Sequence, residues 1–240
     1  MRNQLQIGDA SSTEIKPLIA VSMQGKNEIE LLDFLISLEI KDADVIEWRV
    51  DNWQDLSKLT SDKISKVIDK SPKPMILTWR TSNEGGKLPL NIDEYRRIYL
   101  AAIHANVAAI DVEFWMIDLV SDILAAAKEA GVKVIVSRHD WSFPLNLSSR
   151  IEELNIASVD IIKYATFASD AFQAKQLLDV TKELSFKLDK PLITMAMGEA
   201  GQVTRLEGYL YGSQLTFAYV GEESAPGQSS LESIQMYFRK

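Results

Sequence analysis

Seven ionisable side chains stand at or near the ends of apolar runs: Glu47 and Arg49, Arg80, Asp111 and Glu113, His139, and Lys163. Lys163 lies in VDIIKYA (159–165), where Val159, Ile161 and Tyr164 suggest burial rather than the solvent-seeking stem of an ordinary strand lysine. Desolvated beside cations such as Arg49 and Arg80, its amine is expected to have a lowered pKa and could form an imine with a ketone. His139 follows the preceding run and could move a proton near neutral pH. Glu84, in the glycine-containing loop after Arg80, could orient that imidazole, although a loop glutamate is more often simply solvated. His104 falls at the C-terminal end of a predicted helix, where an imidazole favours the dipole, and is given no chemical part.

Such chemistry requires the groups to converge, and strand alternation shows how they could. Eight β-branched or apolar runs recur: 18–22, 44–50, 74–79, 107–114, 132–137, 159–165, 191–197 and 215–220. Ile46, Trp48 and Val50 share one phase of the second run, and Glu47 and Arg49 the other. Leu77 and Trp79 oppose Thr78 and Arg80, Ile110 and Val112 oppose Asp111 and Glu113, and Val134 and Val136 oppose Ser137 and His139. Helices must cover the outer face of a parallel barrel, so the apolar phase faces out and the polar phase meets inside, at the C-terminal strand ends.

Between the runs, segments of helical period span 27–38, 57–68, 92–103, 116–130, 169–188 and 230–238. Several follow a Ser, Asn or Asp able to cap free N–H groups. Successive polar strand ends lie roughly 30 residues apart, the length of a βαβ unit. Eight such units predict an α/β fold of the (β/α)8 TIM barrel type, a single domain over 1–240, with a short hairpin within 3–16. No G-x-G-x-x-G follows the first run, which argues against a dinucleotide site.

Composition narrows the chemistry further. The 240 residues carry a net charge of −8 and no Lys/Arg-rich run, which argues against nucleic acid and leaves a small anionic substrate to be held by a few placed cations. The absence of cysteine removes thiol nucleophiles and Cys-ligated metals, and two histidines are too few for a histidine-rich centre. Neither a leader-type h-region nor a membrane span is apparent, and a cytoplasmic location is expected. The seventh run ends in MAMGEAGQVTR (195–205), with Met195 and Met197 as apolar walls or a plain core pair, and Arg205 at the start of a helix. In the last loop, GEESAPGQSS, the Ser224 hydroxyl and Gln228 amide could close with Arg205 over a carboxylate, and 222–229 could act as a lid.

The order and spacing of EWRVD (47–51), TWR (78–80) with EGG (84–86), DVEF (111–114), SRHD (137–140), IIKYA (161–165), MAMGEAGQVTR and SAPGQ (224–228) resemble the type I 3-dehydroquinate dehydratases. The resemblance implies a lyase of the shikimate pathway that converts 3-dehydroquinate to 3-dehydroshikimate with no metal or organic cofactor, in a family that is often homodimeric. Lys163 would form a Schiff base with the C3 ketone. His139, assisted by Glu84, would remove a C2 proton and then protonate the departing C1 hydroxyl. Arg205, Ser224 and Gln228 would hold the carboxylate, Glu47, Arg49 and Arg80 the ring hydroxyls, and Met195 and Met197 would wall the site. Two positions depart from the family pattern: members commonly have Asn, His or Tyr where Arg138 stands, and an aliphatic residue where Phe114 stands. Alternation turns Arg138 away from the cavity. Two other readings compete: a class I Schiff-base aldolase, which also uses a barrel lysine, and a non-catalytic protein binding a shikimate-type acid, which has no use for Lys163 and His139 together.

Overall fold

The computed structural model describes residues 3–221 and 227–238. The chain opens with an antiparallel hairpin of β1 (Gln6–Ile7) and β2 (Ala10–Ser11). Strand and helix then alternate: β3 (Leu18–Met23), α1 (Glu28–Ile36), β4 (Val45–Arg49), α2 (Ser61–Asp69), β5 (Met75–Thr78), α3 (Ile92–His104), β6 (Ala109–Glu113) and α4 (Ser121–Ala130). The second half continues with β7 (Lys133–Asp140), α5 (Leu147–Glu152), β8 (Ile161–Phe167), α6 (Ala171–Lys187), β9 (Leu192–Met197), α7 (Gln202–Tyr211), β10 (Leu215–Tyr219), β11 (Ser229–Ser230) and α8 (Leu231–Phe238). All eight expected runs are strands, β3 to β10.

The parallel sheet runs in the order β11-β10-β3-β4-β5-β6-β7-β8-β9. Its two ends are drawn together just before β10, where Leu192 bridges Ser213 and the Gln214 N–H donates to the Leu192 carbonyl at 2.8 Å. Ser213 Oγ also accepts from the Thr194 N–H at 3.0 Å, replacing a ladder bond across the seam. The result is a curled α/β barrel. No helix among the described residues is long and apolar enough to cross a membrane.

Alternation divides the interior into two apolar bodies. Outward residues such as Ile46, Trp48, Leu77, Ile110, Val134 and Ile162 pack beneath the helices. Inward residues Ala20, Val45, Ile76, Ala109, Ile135, Ile161 and Ile193 form a separate cluster with Leu5 and Ile7 of the hairpin segment, both fully buried. The hairpin is thus the floor of the barrel, fastened to the wall by Ser12 Oγ on Gln214 Oε1 at 2.5 Å. One inward position further along β3 to β8 the character changes, from Ala20 to Ser22, Val45 to Glu47, Ile76 to Thr78, Ala109 to Asp111, Ile135 to Ser137 and Ile161 to Lys163, while β9 and β10 stay apolar with Met195 and Phe217. A polar storey therefore stands on an apolar one.

Helix starts follow their caps. Asn27, Thr60, Asn91 and Asp170 each accept a backbone N–H of the first turn of α1, α2, α3 and α6. The cap at Thr60 sets α2 later than periodicity suggests, and residues 56–58 form a 3-10 turn capped by Asp55 instead. The helix expected over 116–130 is also divided: Phe114–Val120 is 3-10 and only Ser121–Ala130 is α-helical. Trp115 Nε1 is tied back to Glu113 Oε2 at 2.7 Å and Arg96 takes the Leu119 carbonyl, which holds the tighter turn.

Candidate active site

Lys163 projects from β8 into the polar storey and is buried. Its Nζ lies 3.0 Å from Asp111 Oδ2 and 3.4 Å from Glu47 Oε1. Glu47 is held in turn by Ser22 Oγ at 2.8 Å and Thr78 Oγ1 at 3.1 Å. The Phe217 ring of β10 closes one side, with its centroid 4.3 Å from Nζ. The cationic surroundings expected for this lysine are thus corrected. Arg49 and Arg80 stand on the same wall, but carboxylates and an aromatic face are its nearest partners, because each arginine is turned onto acids of its own.

Arg49 makes two 2.8 Å bonds to Asp51, which also receives the Arg80 backbone N–H. The Arg80 guanidinium reaches Asp111 at 2.7 Å, Glu113 at 3.0 Å, Ser137 Oγ at 3.0 Å and Glu84 at 3.4 Å. Burial of so many charges is tolerable only when each is paired. Burial alone would push the Asp111 carboxyl up, but Arg80, then Lys163 and the Ser137 hydroxyl hold it well below the usual range. Glu113 receives the Thr81 N–H and hydroxyl at 2.7 Å each, anchoring the loop that carries Glu84. Gly86 lets that loop fold back, since a Cβ there would lie 1.7 Å from the Arg80 carbonyl oxygen.

His139 projects inward near the end of β7. Its Nδ1 lies 2.8 Å from Glu84 Oε2, and its backbone N–H donates to the same oxygen at 3.0 Å. Burial, reinforced by Arg80 and Lys163, holds the imidazole well below its ordinary pKa. Burial also pushes Glu84 up to about 8, with Arg80 opposing and Glu113 and Asp111 reinforcing it. Glu84 shares the Arg80 guanidinium with Asp111 and Glu113, so that cation only partly offsets the effect of burial.

These groups surround a cavity lined by Glu47, Arg49, Arg80, His139 and Lys163, with Met195, Met197 and Phe217 as its apolar wall. Arg205, Gln228, Ser22 and Ala165 complete the lining. Arg205 is buried on α7, with Nη1 3.6 Å from Met195 Sδ. Thr204 ties the start of α7 to β9 by accepting the Ala196 N–H at 2.8 Å. Gln228 follows Gly227, whose φ of +77° and close approach to Gly198 (an added Cβ would lie 2.4 Å from the Gly198 carbonyl oxygen) require glycine. Ser224, and most of the lid segment expected over 222–229, lie outside the described residues.

Residues 19–239 match the model of the type I 3-dehydroquinase family. The chain belongs to this family. A 3-dehydroquinate dehydratase of Clostridium kluyveri is 33% identical over 249 residues, covering 99% of this chain and 96% of that protein. Among solved structures, the 3-dehydroquinate dehydratase of Geobacillus kaustophilus superposes with a TM-score of 0.90 at 27% identity, covering 100% of this chain and 97% of that one. The type I enzyme of Clostridium difficile, solved with covalently modified comenic acid, gives 0.88 at 28% identity, covering 99% and 97%.

Within this family member, the structure brings Glu47, Arg49, Arg80, His139, Lys163, Met195, Met197, Arg205 and Gln228 to one cavity, with Glu84 directly behind His139. Sequence reasoning missed Phe217 and Ser22. Both sit on the inward phase of their strands, and splitting LIAVS and LTFAYV as the other runs were split would have found them. The two departures from the family pattern meet each other: the Arg138 guanidinium carbon lies 4.5 Å from the centroid of the Phe114 ring, facing away from the cavity.

Proposed function

We propose that this chain dehydrates 3-dehydroquinate to 3-dehydroshikimate within the shikimate pathway, and that it does so through an imine on Lys163. Membership of the type I family supports the reaction. The observation that carries the mechanism is the sharing of one cavity by a buried lysine and a histidine held by a carboxylate.

The Lys163 amine adds to the C3 ketone, and loss of the carbonyl oxygen as water leaves an imine whose protonated form is an electron sink. Nδ1 of His139 faces Glu84, so Nε2 takes the C2 proton. The electron pair of that C–H bond forms an enamine. When it returns, the C1–O bond breaks, and the same imidazole protonates the departing hydroxyl as water. Hydrolysis of the unsaturated imine consumes one water and restores the lysine, so the net change is loss of one water. The Phe217 face, 4.3 Å from Nζ, suits a nitrogen that is cationic during this sequence.

Arg205 with Gln228 and Ser224 would hold the substrate carboxylate, and Glu47 with Arg49 the ring hydroxyls. Arg80 reaches the cavity but is bonded to Glu84, Asp111 and Glu113, which suits orienting those acids as well as touching substrate. A single (β/α)8 domain, with substrate as its small-molecule partner, is the corresponding organisation.

The test is intact mass and peptide mapping after incubation with 3-dehydroquinate and borohydride. A reduced adduct on Lys163, lost in Lys163→Ala together with turnover, is expected. Dehydroshikimate formed without an adduct would remove the imine and leave the reaction. Absence of both, with turnover of an aldol donor, would favour the aldolase reading.

A further inference from the structure

The β6–β7 ladder pairs Ala109 with Lys133, Ile110 with Val134, Asp111 with Ile135, Val112 with Val136 and Glu113 with Ser137, and there it stops. The next pair in register would be Phe114 with Arg138, but Phe114 begins a 3-10 segment and leaves the sheet. On its other side β7 remains laddered to β8 as far as Asp140 and Thr166. His139 therefore stands on a strand end that has lost one backbone neighbour. The loss is useful, because its N–H then donates to Glu84 Oε2, the same oxygen that meets Nδ1.

Side chains occupy the place of the missing ladder. The Arg138 guanidinium lies over the Phe114 ring at the very register position where the backbone bonds end. The same guanidinium donates to the Arg150 carbonyl at 3.1 Å and to Glu153 at 2.8 Å, on and just beyond α5. Asp140, the other neighbour of His139, is held by Arg150 at 2.8 and 3.1 Å and by the Tyr164 hydroxyl at 2.6 Å. Residues 138 and 140 both point outward, and both are fastened to α5 or its end, so the inward imidazole between them is fixed from behind.

We infer that Arg138 and Phe114 form a side-chain extension of the β6–β7 ladder, and that this pair is a positioning device for His139. Phe114 directly follows Glu113, which anchors Arg80 and Thr81, so the clamp also sets the imidazole relative to the loop that carries Glu84. An ordinary surface cation would have no reason to stack on this ring while also capping α5. The inference rests on reading His139 as the proton-transfer group.

The experiment is steady-state dehydration of 3-dehydroquinate by Arg138→Met, Arg138→Lys, Phe114→Leu and the double variant Arg138→Met/Phe114→Leu, with thermal midpoints measured alongside. Arg138→Met is expected to lower kcat by about fivefold, the scale of one such contact, and to leave KM within about twofold. Phe114→Leu should lower kcat similarly, and the double variant should be little worse than either, since both remove one contact. Lys keeps the charge without the flat guanidinium and should recover only part of kcat. Unchanged kcat in both single variants overturns the inference, as does additive loss in the double variant or full recovery by Lys. If Arg138→Met does not fold, Phe114→Leu and Arg138→Lys decide by the same criteria. Wild-type turnover in His139→Asn would instead remove the reading of His139, and the positioning role with it.

Discussion

Glu84 meets His139 Nδ1, the His139 N–H and Arg80 through one oxygen, Oε2, and so links the imidazole to the buried ion network. The pair titrates as a unit. Proton removal through Nε2 requires a neutral imidazole facing an ionised carboxylate, and Glu84 keeps its proton up to about pH 8. For free enzyme, kcat/KM is therefore expected to rise with pH along a limb near 8. In Glu84→Gln, where the amide cannot hold that proton, the limb should move below 6.5, set by the lowered imidazole, and the plateau should fall. A limb that stays in place would belong to another group. Stability gives a second reading of the same shift. The folded pKa lies above the model value of 4.5, so the carboxyl's favourable contribution is complete below about pH 4.5 and is lost as pH rises through about 8. Glu84→Gln should accordingly gain in thermal midpoint over wild type between pH 5 and pH 8.5.

Among the elements, strands were more legible than helices. Strand parity is strict, so the residue types in EWRVD or SRHD reveal which side chains share a face. The short helix α5 escaped notice because LSSRIE offers too few turns for a period and two serines that read as loop. The 3-10 segment after β6 looked helical because its apolar residues keep a helical spacing, which does not reveal the Trp115–Glu113 and Arg96–Leu119 bonds that hold the tighter winding. What Lys163 touches was equally hidden, since parity assigns a residue to the cavity but not to a partner within it. The hairpin offers a test at this level. Leu5 is fully buried in the floor, away from Lys163, so Leu5→Ala should cost roughly 2–4 kcal/mol in chemical denaturation and leave kcat near wild type. A large loss of kcat without loss of stability would show that the floor shapes the cavity directly.

For the molecule as a whole, the periodic alternation of strand and helix was enough to predict a barrel, and the family resemblance agreed with it. The closure was not visible in the sequence. Ser213, an unremarkable residue before the last apolar run, supplies both the bridge to Leu192 and the hydroxyl bonded to Thr194 across the seam. Nor did the net charge of −8 reveal the interior, where cations and acids are paired residue by residue.

The hairpin that seals the barrel floor has a consequence for traffic. Among the described residues, Leu5 and Ile7 close the far end, which leaves the C-terminal strand ends, where Gln228 lines the cavity, as the doorway. Departing 3-dehydroshikimate and arriving 3-dehydroquinate share that doorway and the same lining residues. Product is therefore expected to inhibit as a pure competitor of substrate, raising KM and leaving kcat alone. A lowered kcat in initial-rate measurements with added product would mean that product also binds the substrate-loaded enzyme.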